Sequence, residues 1–203
     1  MKIEDMVRAV QAELGVEVDG KAGTETWGAI YRRLVDRRAP ADIAFTERAD
    51  RANARSEKVI ATLRPNVQPY ARALYFKARE HGMTINILSG LRTYAEQDAL
   101  YAKGRSAPGP KVTNARGGYS NHNFGIAFDV GVFEGNRYLG DSPKYKAVGV
   151  LGSELGLEWG GHWKTIVDQP HFQLRPAWAA GLPERSMLAE FRRRVEEGID
   201  LDA

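Results

Sequence analysis

The chain has 203 residues, of which 43% are hydrophobic and 27% are charged. This composition is ordinary for a globular protein with a hydrophobic core, and the length suits one larger domain plus a small module. The net charge of +3 argues against a dedicated nucleic-acid-binding protein, whereas a pI near 9.1 favours contact with an anionic surface. The absence of cysteine excludes disulfide scaffolds, cysteine nucleophiles and thiolate metal sites.

The start of the chain has no apolar run behind basic side chains, so we expect no signal peptide. No stretch approaches the roughly 20 apolar residues that span a bilayer. We therefore expect a protein that is made in the cytoplasm and does not insert into a membrane. We also expect a monomer.

The first 35 residues predict a compact helical unit. Apolar residues recur at helical spacing over residues 3–14, and Gly15 follows as a C-terminal stop. Asp19-Gly20 predicts a turn, and a second helix follows with Trp27 on its apolar face. The polar, arginine-rich stretch after it has two interpretations, a solvated linker with a helix or a basic binding patch, and we favour the linker.

From about Val67 the pattern becomes α+β, and we expect a small antiparallel sheet flanked by helices. Thr93 and Glu96 predict a capping box at the start of one helix, and residues 105–119 predict a loop because they are rich in Gly, Pro and Lys. The predicted helices cover about 67–82, 93–104, 142–156 and 184–198, and the predicted strands cover 85–88, 125–130 and 170–174.

Metal-binding residue types lie on the strand over 125–130. Its alternation points Ile126, Phe128 and Val130 into a core. Asp129 points to the opposite face, which is nearly bare and leaves room for an ion and a substrate. His122 lies just before the strand, where a loop could turn its imidazole toward Asp129.

In the strand over 170–174, the same alternation places His171 and Gln173 on one face. Together with His122 and Asp129, His171 would complete a catalytic zinc site whose fourth position holds a water of lowered pKa. From spacing alone, a structural His–Asp hydrogen bond is the commoner explanation, because no HExxH-type helix motif is present.

Two further side chains have positions that suit catalysis. Asp168, three residues before His171 and fixed by Pro170, is placed to take a proton from water and pass it to a leaving amine. Arg92 lies at a strand-to-helix junction, where its guanidinium could bind a substrate carbonyl or carboxylate and stabilise a developing oxyanion. An isolated arginine is more often a surface charge.

At these residues the chain resembles the zinc peptidases that include D-Ala-D-Ala carboxypeptidases, D,D-dipeptidases and phage L-alanyl-D-glutamate endopeptidases. The signature of those enzymes, S-x-H-x-x-G-x-A-x-D and a distant acid-x-x-H, is matched over 120–129 and 168–171. The similarity runs over about 56–174 and includes Ser89-Gly90-Leu91-Arg92-Thr93-Tyr94. It implies zinc as the cofactor, with these roles: metal ligands His122, Asp129 and His171, catalytic base Asp168, and transition-state stabiliser Arg92.

Asp168 and the run Asn114-Ala115-Arg116-Gly117-Gly118-Tyr119-Ser120 are most similar to the phage endolysin branch, which cuts the L-Ala–D-Glu bond of the peptidoglycan stem. The resemblance implies a bacteriolytic, antimicrobial endopeptidase that acts on bacterial peptidoglycan after release from the host cytoplasm. Two alternatives stay open: a D-Ala-D-Ala carboxypeptidase on the same scaffold, and a non-catalytic cell-wall-binding protein.

The N-terminal unit is similar to peptidoglycan-binding modules through Val10-Gln11-x-x-Leu14-Gly15 and Val18-Asp19-Gly20-x-x-Gly23-x-x-Thr26-Trp27. We expect a module over 1–38, a linker over 39–55 and a zinc peptidase domain over 56–203. A merely structural helical hairpin remains the alternative, because such modules usually have a third helix.

Four more residues are candidates for substrate contact or for support of the ligands: Ser120, Gln97, His162 and Trp163. His162 stands where relatives usually have an acidic or other polar residue, so a fourth ligand, a substrate contact and a supporting partner are all conceivable roles. We favour a loop histidine without such a role. For Ser120, orienting a ligand is a better interpretation than a nucleophile, because no nucleophile elbow surrounds it.

Overall fold

The computed structural model describes residues 2–23, 26–27, 30 and 51–202. The chain divides into two compact units, Met1–Thr46 and Glu47–Ala203. Most of the predicted second N-terminal helix and of the predicted linker lies outside the described residues. Within the described part of the chain, no helix combines the length and hydrophobicity needed to cross a bilayer.

In the first unit, helix α1 spans Ile3–Leu14 and ends at Gly15, which has a φ of 68°. Left-handed backbone of this kind favours glycine, so the predicted stop is confirmed. Gln11 is buried beside it: its Nε2 donates to Asp19 Oδ1 at 2.7 Å, and its Oε1 accepts from the Gly20 amide at 2.8 Å. The Gln11 side chain therefore connects α1 by hydrogen bonds to the predicted turn at Asp19-Gly20.

The second unit confirms the predicted α+β class, and within residues 51–202 it contains five helices and one five-stranded sheet. The helices are α2 Ala54–Ile60, α3 Gln68–Glu80, α4 Tyr94–Ala102, α5 Lys144–Glu154 and α6 Glu184–Glu197. The strands are β1 Thr84–Ser89, β2 Ala127–Glu134, β3 Arg137–Leu139, β4 Glu158–Trp159 and β5 His171–Gln173. Short 3₁₀ turns cover Asn121–Phe124, Gly160–His162 and Ala177–Ala179.

The sheet is antiparallel with the order β1-β2-β5-β4, and β3 pairs with the far end of β2. In this register Asp129 on β2 lies between Ser89 on β1 and His171 on β5. The pairing of β2 with β5 thus brings a carboxylate and an imidazole side by side, although Asp129 and His171 are 42 residues apart in the chain.

The larger hydrophobic core lies between one face of the sheet and helices α2, α3 and α5. Phe128 and Phe172, from adjacent strands, stack with ring centroids 5.9 Å apart at the centre of that face. Their burial contributes about 1.5–3 kcal/mol each to the free energy of unfolding. Because side chains alternate along a strand, this burial turns the neighbouring Asp129 and His171 to the other face.

A second core lies under α6 and contains Phe124, Ile126 and Phe191. The rings of Phe124 and Phe191 stack at 4.7 Å. The prediction that Ile126 shares a strand face with Phe128 is wrong. Strand β2 begins at Ala127, after the left-handed Gly125 with a φ of 69°, so the alternation does not reach back to Ile126.

The predicted capping box is confirmed: the Thr93 side chain accepts from the Glu96 amide, and the Glu96 carboxylate accepts from the Thr93 amide. The sequence analysis missed β3, β4 and the continuation of β2 to Glu134. Strands of two or three residues carry too few alternations to be recognised.

Helix α5 approaches the sheet closely through two glycines. A Cβ atom added at Gly149 would lie 2.4 Å from the Trp159 ring, and one added at Gly152 would lie 2.4 Å from the Phe172 ring. Glycine inside a helix normally lowers stability by about 1 kcal/mol relative to alanine. Here the missing side chain is what allows the helix to pack on the sheet.

We expect Gly149→Ala to lower the free energy of unfolding by about 1–3 kcal/mol, because overpacking against Trp159 outweighs the gain in helix propensity. Denaturant unfolding of the purified protein measures this. Val150→Ala, on the exposed side of the same helix, is the control and should change stability little. A Gly149→Ala variant as stable as the parent would contradict the packing argument.

Candidate metal centre

The sheet and one 3₁₀ turn bring the three predicted ligands together. Asp129 and His171 are cross-strand partners on β2 and β5. His122 is buried in the turn Asn121–Phe124, just before β2. Both histidines are almost fully buried, whereas the Asp129 side chain keeps 23% of its exposure, so the ligand set opens to solvent on one side.

The distances within the cluster fit zinc. His122 Nε2 lies 3.2 Å from Asp129 Oδ1, and His171 Nδ1 lies 3.3 Å from the same oxygen. Tetrahedral zinc with ordinary Zn–N and Zn–O bonds places two ligand atoms about 3.3 Å apart. One ligand atom from each residue lies within 4.8 Å of the others, and no other such group occurs among the described residues.

The outer ring nitrogens fix the tautomer of each histidine. His122 Nδ1 lies 2.8 Å from the Gly90 carbonyl oxygen, and His171 Nε2 lies 2.9 Å from Gln173 Oε1. Since both acceptor atoms are oxygens that can only accept, these nitrogens are the donors, and His122 Nε2 and His171 Nδ1 face Asp129, where a metal ion can take the place of a proton. Zinc-binding histidines need this arrangement, and the residues present therefore fit the metal.

The charged form of Asp129 and the protonated form of His171 stabilise each other. Burial opposes ionisation of Asp129, yet His122 and then His171 hold the pKa of this carboxyl well below its usual range. Burial alone would lower the pKa of His171, but the Asp129 carboxylate outweighs it and raises the pKa. An ionised carboxylate is thus ready to bind a cation.

Arg92 contacts the second oxygen of the same carboxylate. Its Nη2 donates to Asp129 Oδ2 at 3.2 Å and to Ser89 Oγ at 3.0 Å, and its Nη1 donates to Gln97 Oε1 at 2.8 Å. Asp129 therefore turns Oδ1 to the histidines and Oδ2 to the guanidinium. A guanidinium has five N–H groups, so two remain after these three bonds.

Asp168 is half-buried beside His171. Its backbone carbonyl accepts from the His171 amide at 3.2 Å, and its own amide donates to the Gly160 carbonyl at 3.0 Å. A Cβ atom at Gly160 would lie 2.5 Å from the Asp168 carbonyl, so this tight turn requires glycine. Burial, and then the charge of Asp129, raise the pKa of the Asp168 carboxyl.

Comparison with known proteins identifies the family. A family model described as D-alanyl-D-alanine carboxypeptidase, of peptidase family M15, matches residues 113–174. The peptidoglycan L-alanyl-D-glutamate endopeptidase CwlK of Bacillus subtilis (strain 168) is 38% identical over 130 residues, which cover 58% of this chain and 77% of that protein. The chain belongs to the M15 family of zinc peptidases.

Two solved structures are also similar to this M15 chain. The L-Ala D-Glu endopeptidase ChiX of Serratia marcescens has a TM-score of 0.47 and 27% identity, over 64% of this chain and 94% of that one. The vancomycin resistance D,D-pentapeptidase VanY, in complex with Zn(II), has a TM-score of 0.45 and 19% identity, over 64% and 83% of the two chains.

The four supporting candidates occupy different positions around the M15 metal centre. Gln97 is fully buried and links Arg92 to the Ala115 carbonyl, to which its Nε2 donates at 2.9 Å. The half-exposed Trp163 ring lies 4.8 Å from the His171 ring. Two candidates stand outside the ligand cluster: Ser120, which precedes the 3₁₀ turn, and His162, whose ring packs on Trp159.

Sequence reasoning missed the polar groups behind the histidines. Strand alternation places Gln173 on the correct face of β5 but indicates no role for it. Asn121, which donates to Gln173 Oε1 at 2.5 Å, carried no signal beyond its place before His122. Glu158, which accepts from Gln173 Nε2 at 2.7 Å, lies on the missed strand β4.

We expect His171→Ala to remove bound zinc, because two ligands in place of three leave too few protein donors for a stable site. Elemental analysis of the purified protein measures the zinc content. His162→Ala is the matched control, since this histidine lies outside the cluster, and it should keep the metal. Full zinc content in the His171→Ala variant would contradict the assignment.

Proposed function

We propose that this M15 zinc peptidase hydrolyses the stem peptides of bacterial peptidoglycan and cuts the L-alanyl–D-glutamate bond. One observation carries the chemistry: His122, Asp129 and His171 converge on one solvent-open side, with the Asp168 carboxyl group beside them. The similarity to CwlK, a peptidoglycan L-alanyl-D-glutamate endopeptidase, supports the substrate class and the bond.

Asp168 is the proposed catalytic base. Zinc, when bound, supplies Lewis acidity that polarises the scissile carbonyl and lowers the pKa of water. Asp168 takes the proton of the attacking water and delivers it to the leaving amine. Burial, the first cause of the raised pKa of Asp168, does not depend on the metal, and a carboxylate with a raised pKa is a stronger base toward the proton of water.

Arg92 is proposed to act in two ways. Its bond to Asp129 Oδ2 holds the ligand carboxylate with Oδ1 toward the histidines. Its two remaining N–H groups are available to a substrate carbonyl oxygen, where they would stabilise the negative charge that develops during hydrolysis. The Trp163 ring, next to His171 and half-exposed, offers a flat apolar surface for the substrate chain.

The cellular role we propose is that of an endolysin. The support is the similarity of the run over 114–120 and of Asp168 to the phage branch of the family. In this proposal, the N-terminal unit binds the wall and the second unit cuts it. The D-Ala-D-Ala carboxypeptidase alternative has the description of the matching family model in its favour.

Digestion of purified peptidoglycan, followed by mass spectrometry of the muropeptides, tests the bond that is cut. We expect release of the stem at L-Ala–D-Glu, and no release after treatment with a zinc chelator. Restoring zinc is the control and should restore cleavage. Loss of a single terminal D-Ala would instead establish the carboxypeptidase, and binding to the wall without cleavage would establish a non-catalytic protein.

We expect Asp168→Asn to reduce turnover by about 10²–10⁴-fold while the protein keeps its zinc, because the amide cannot accept the proton. Rates on muropeptides and zinc content, measured on the same preparation, separate these effects. Asp141→Asn, an exposed aspartate, is the matched control. A variant that loses its zinc would contradict the role of Asp168 as a base that is not a ligand.

A further inference from the structure

Gln173 lies behind the metal centre and is fully buried. Its Oε1 lies 2.9 Å from His171 Nε2 and accepts from Asn121 Nδ2 at 2.5 Å. Its Nε2 donates to Glu158 Oε2 at 2.7 Å. Both ends of this side-chain amide are therefore engaged, and each end meets a partner of the opposite hydrogen-bonding type.

The direction of this amide matters for His171. With the carbonyl oxygen toward the ring, His171 must carry its proton on Nε2, which leaves the Nδ1 lone pair for the metal. With the amide reversed, an NH₂ group would face Nε2 and favour the opposite tautomer, in which Nδ1 is protonated and cannot bind a metal. The reversed carbonyl would also face the Glu158 carboxylate, which is repulsive.

Glu158 is itself held in place by charge. Arg175 Nε donates to Glu158 Oε1 at 2.5 Å, and Arg175 Nη2 lies 2.8 Å from Glu184 Oε2. Glu184 is the first residue of helix α6. The ion pairs with Arg175 keep the Glu158 carboxylate against Gln173, and they link the metal centre to α6.

The two histidine ligands differ in how they are supported. The acceptor for His122 is the Gly90 backbone carbonyl, which is present whatever the side chain. The acceptor for His171 is a side chain, whose direction depends on a second side chain. Substitution of the side chains behind the metal centre can therefore change the tautomer and orientation of His171.

We propose that Gln173 is a positioning residue that fixes the tautomer of His171 for metal binding, and that Glu158 fixes the direction of the Gln173 amide. The proposal rests on the proposed zinc peptidase function only in that it assumes the metal centre. It gives a role to Gln173 and Glu158, neither of which is one of the three metal ligands.

The first test is Gln173→Leu in the full chain, with zinc affinity measured by competition with a chromophoric chelator. Loss of the acceptor should weaken zinc binding by about 10- to 100-fold, as for other residues that support metal ligands. Gln68→Leu is the control, because Gln68 Nε2 also donates one bond, to the Leu63 carbonyl at 3.0 Å, in another part of the fold. Its zinc affinity should stay at the parent value.

A second pair of variants tests the role of Glu158. Glu158→Gln leaves two amides that can pair in either direction, so zinc binding should weaken. Adding Gln173→Glu restores one carboxylate and one amide in exchanged places, with an acceptor again facing His171, and should recover the affinity. This comparison decides the matter even if Gln173→Leu does not fold.

Imidazole ¹⁵N chemical shifts of the zinc-loaded protein give a readout that a merely structural role would not move. We expect His171 to keep its proton on Nε2 and to bind zinc through Nδ1 in the parent chain, and to show a second population in Gln173→Leu and Glu158→Gln. Parent zinc affinity in a folded Gln173→Leu variant, or no recovery in the exchanged pair, would overturn the proposal. A parent protein that binds zinc but cuts no peptidoglycan would contradict the proposed function and leave this inference standing.

Discussion

The pairing of β2 with β5 is the constraint on which the site depends. It sets Asp129 opposite His171 and, one residue along, Phe128 opposite Phe172. A shift of this register by one residue would turn the ligands into the core and the rings to the metal face. The stacked rings, buried under α5, therefore help to keep the imidazole and the carboxylate side by side.

The opposite face of the same strands has to bury polar groups, and an unpaired buried polar group lowers stability by about 1–3 kcal/mol. The chain provides an acceptor for each histidine: a backbone carbonyl behind His122 and the side-chain oxygen of Gln173 behind His171. Arg92 serves Asp129 as a hydrogen-bond donor. The groups that stabilise the buried cluster are also the groups that orient its ligands, so stability and metal binding favour the same geometry.

Strand alternation is enough to predict which face of the sheet carries Asp129 and His171. The apolar Phe128 next to Asp129 marks the buried face, and this two-residue period can be read within a single strand. It failed at Ile126, where the left-handed Gly125 interrupts the strand. Glu158 could not be predicted, because its place behind Gln173 depends on the pairing of β4 with β5, and β4 has only two residues. Two residues carry too few alternations to indicate a strand.

For Arg92, residue type and position in the chain predict only part of the role that the structure shows. The sequence places a guanidinium at a strand-to-helix junction, which suits a substrate-facing role, but the side chain also neutralises the outer oxygen of Asp129. With Asp129 and Asp168 ionised and both histidines neutral, the cluster with Arg92 carries a net negative charge, which attracts a divalent cation. Once such a cation is bound, the net charge becomes positive, which favours the negative charge that develops on a peptide carbonyl oxygen during hydrolysis. In the proposed mechanism, a second cationic side chain in place of Asp168 would strengthen that last effect but would weaken metal binding and remove the proposed base, so one arginine against two carboxylates suits both metal binding and hydrolysis.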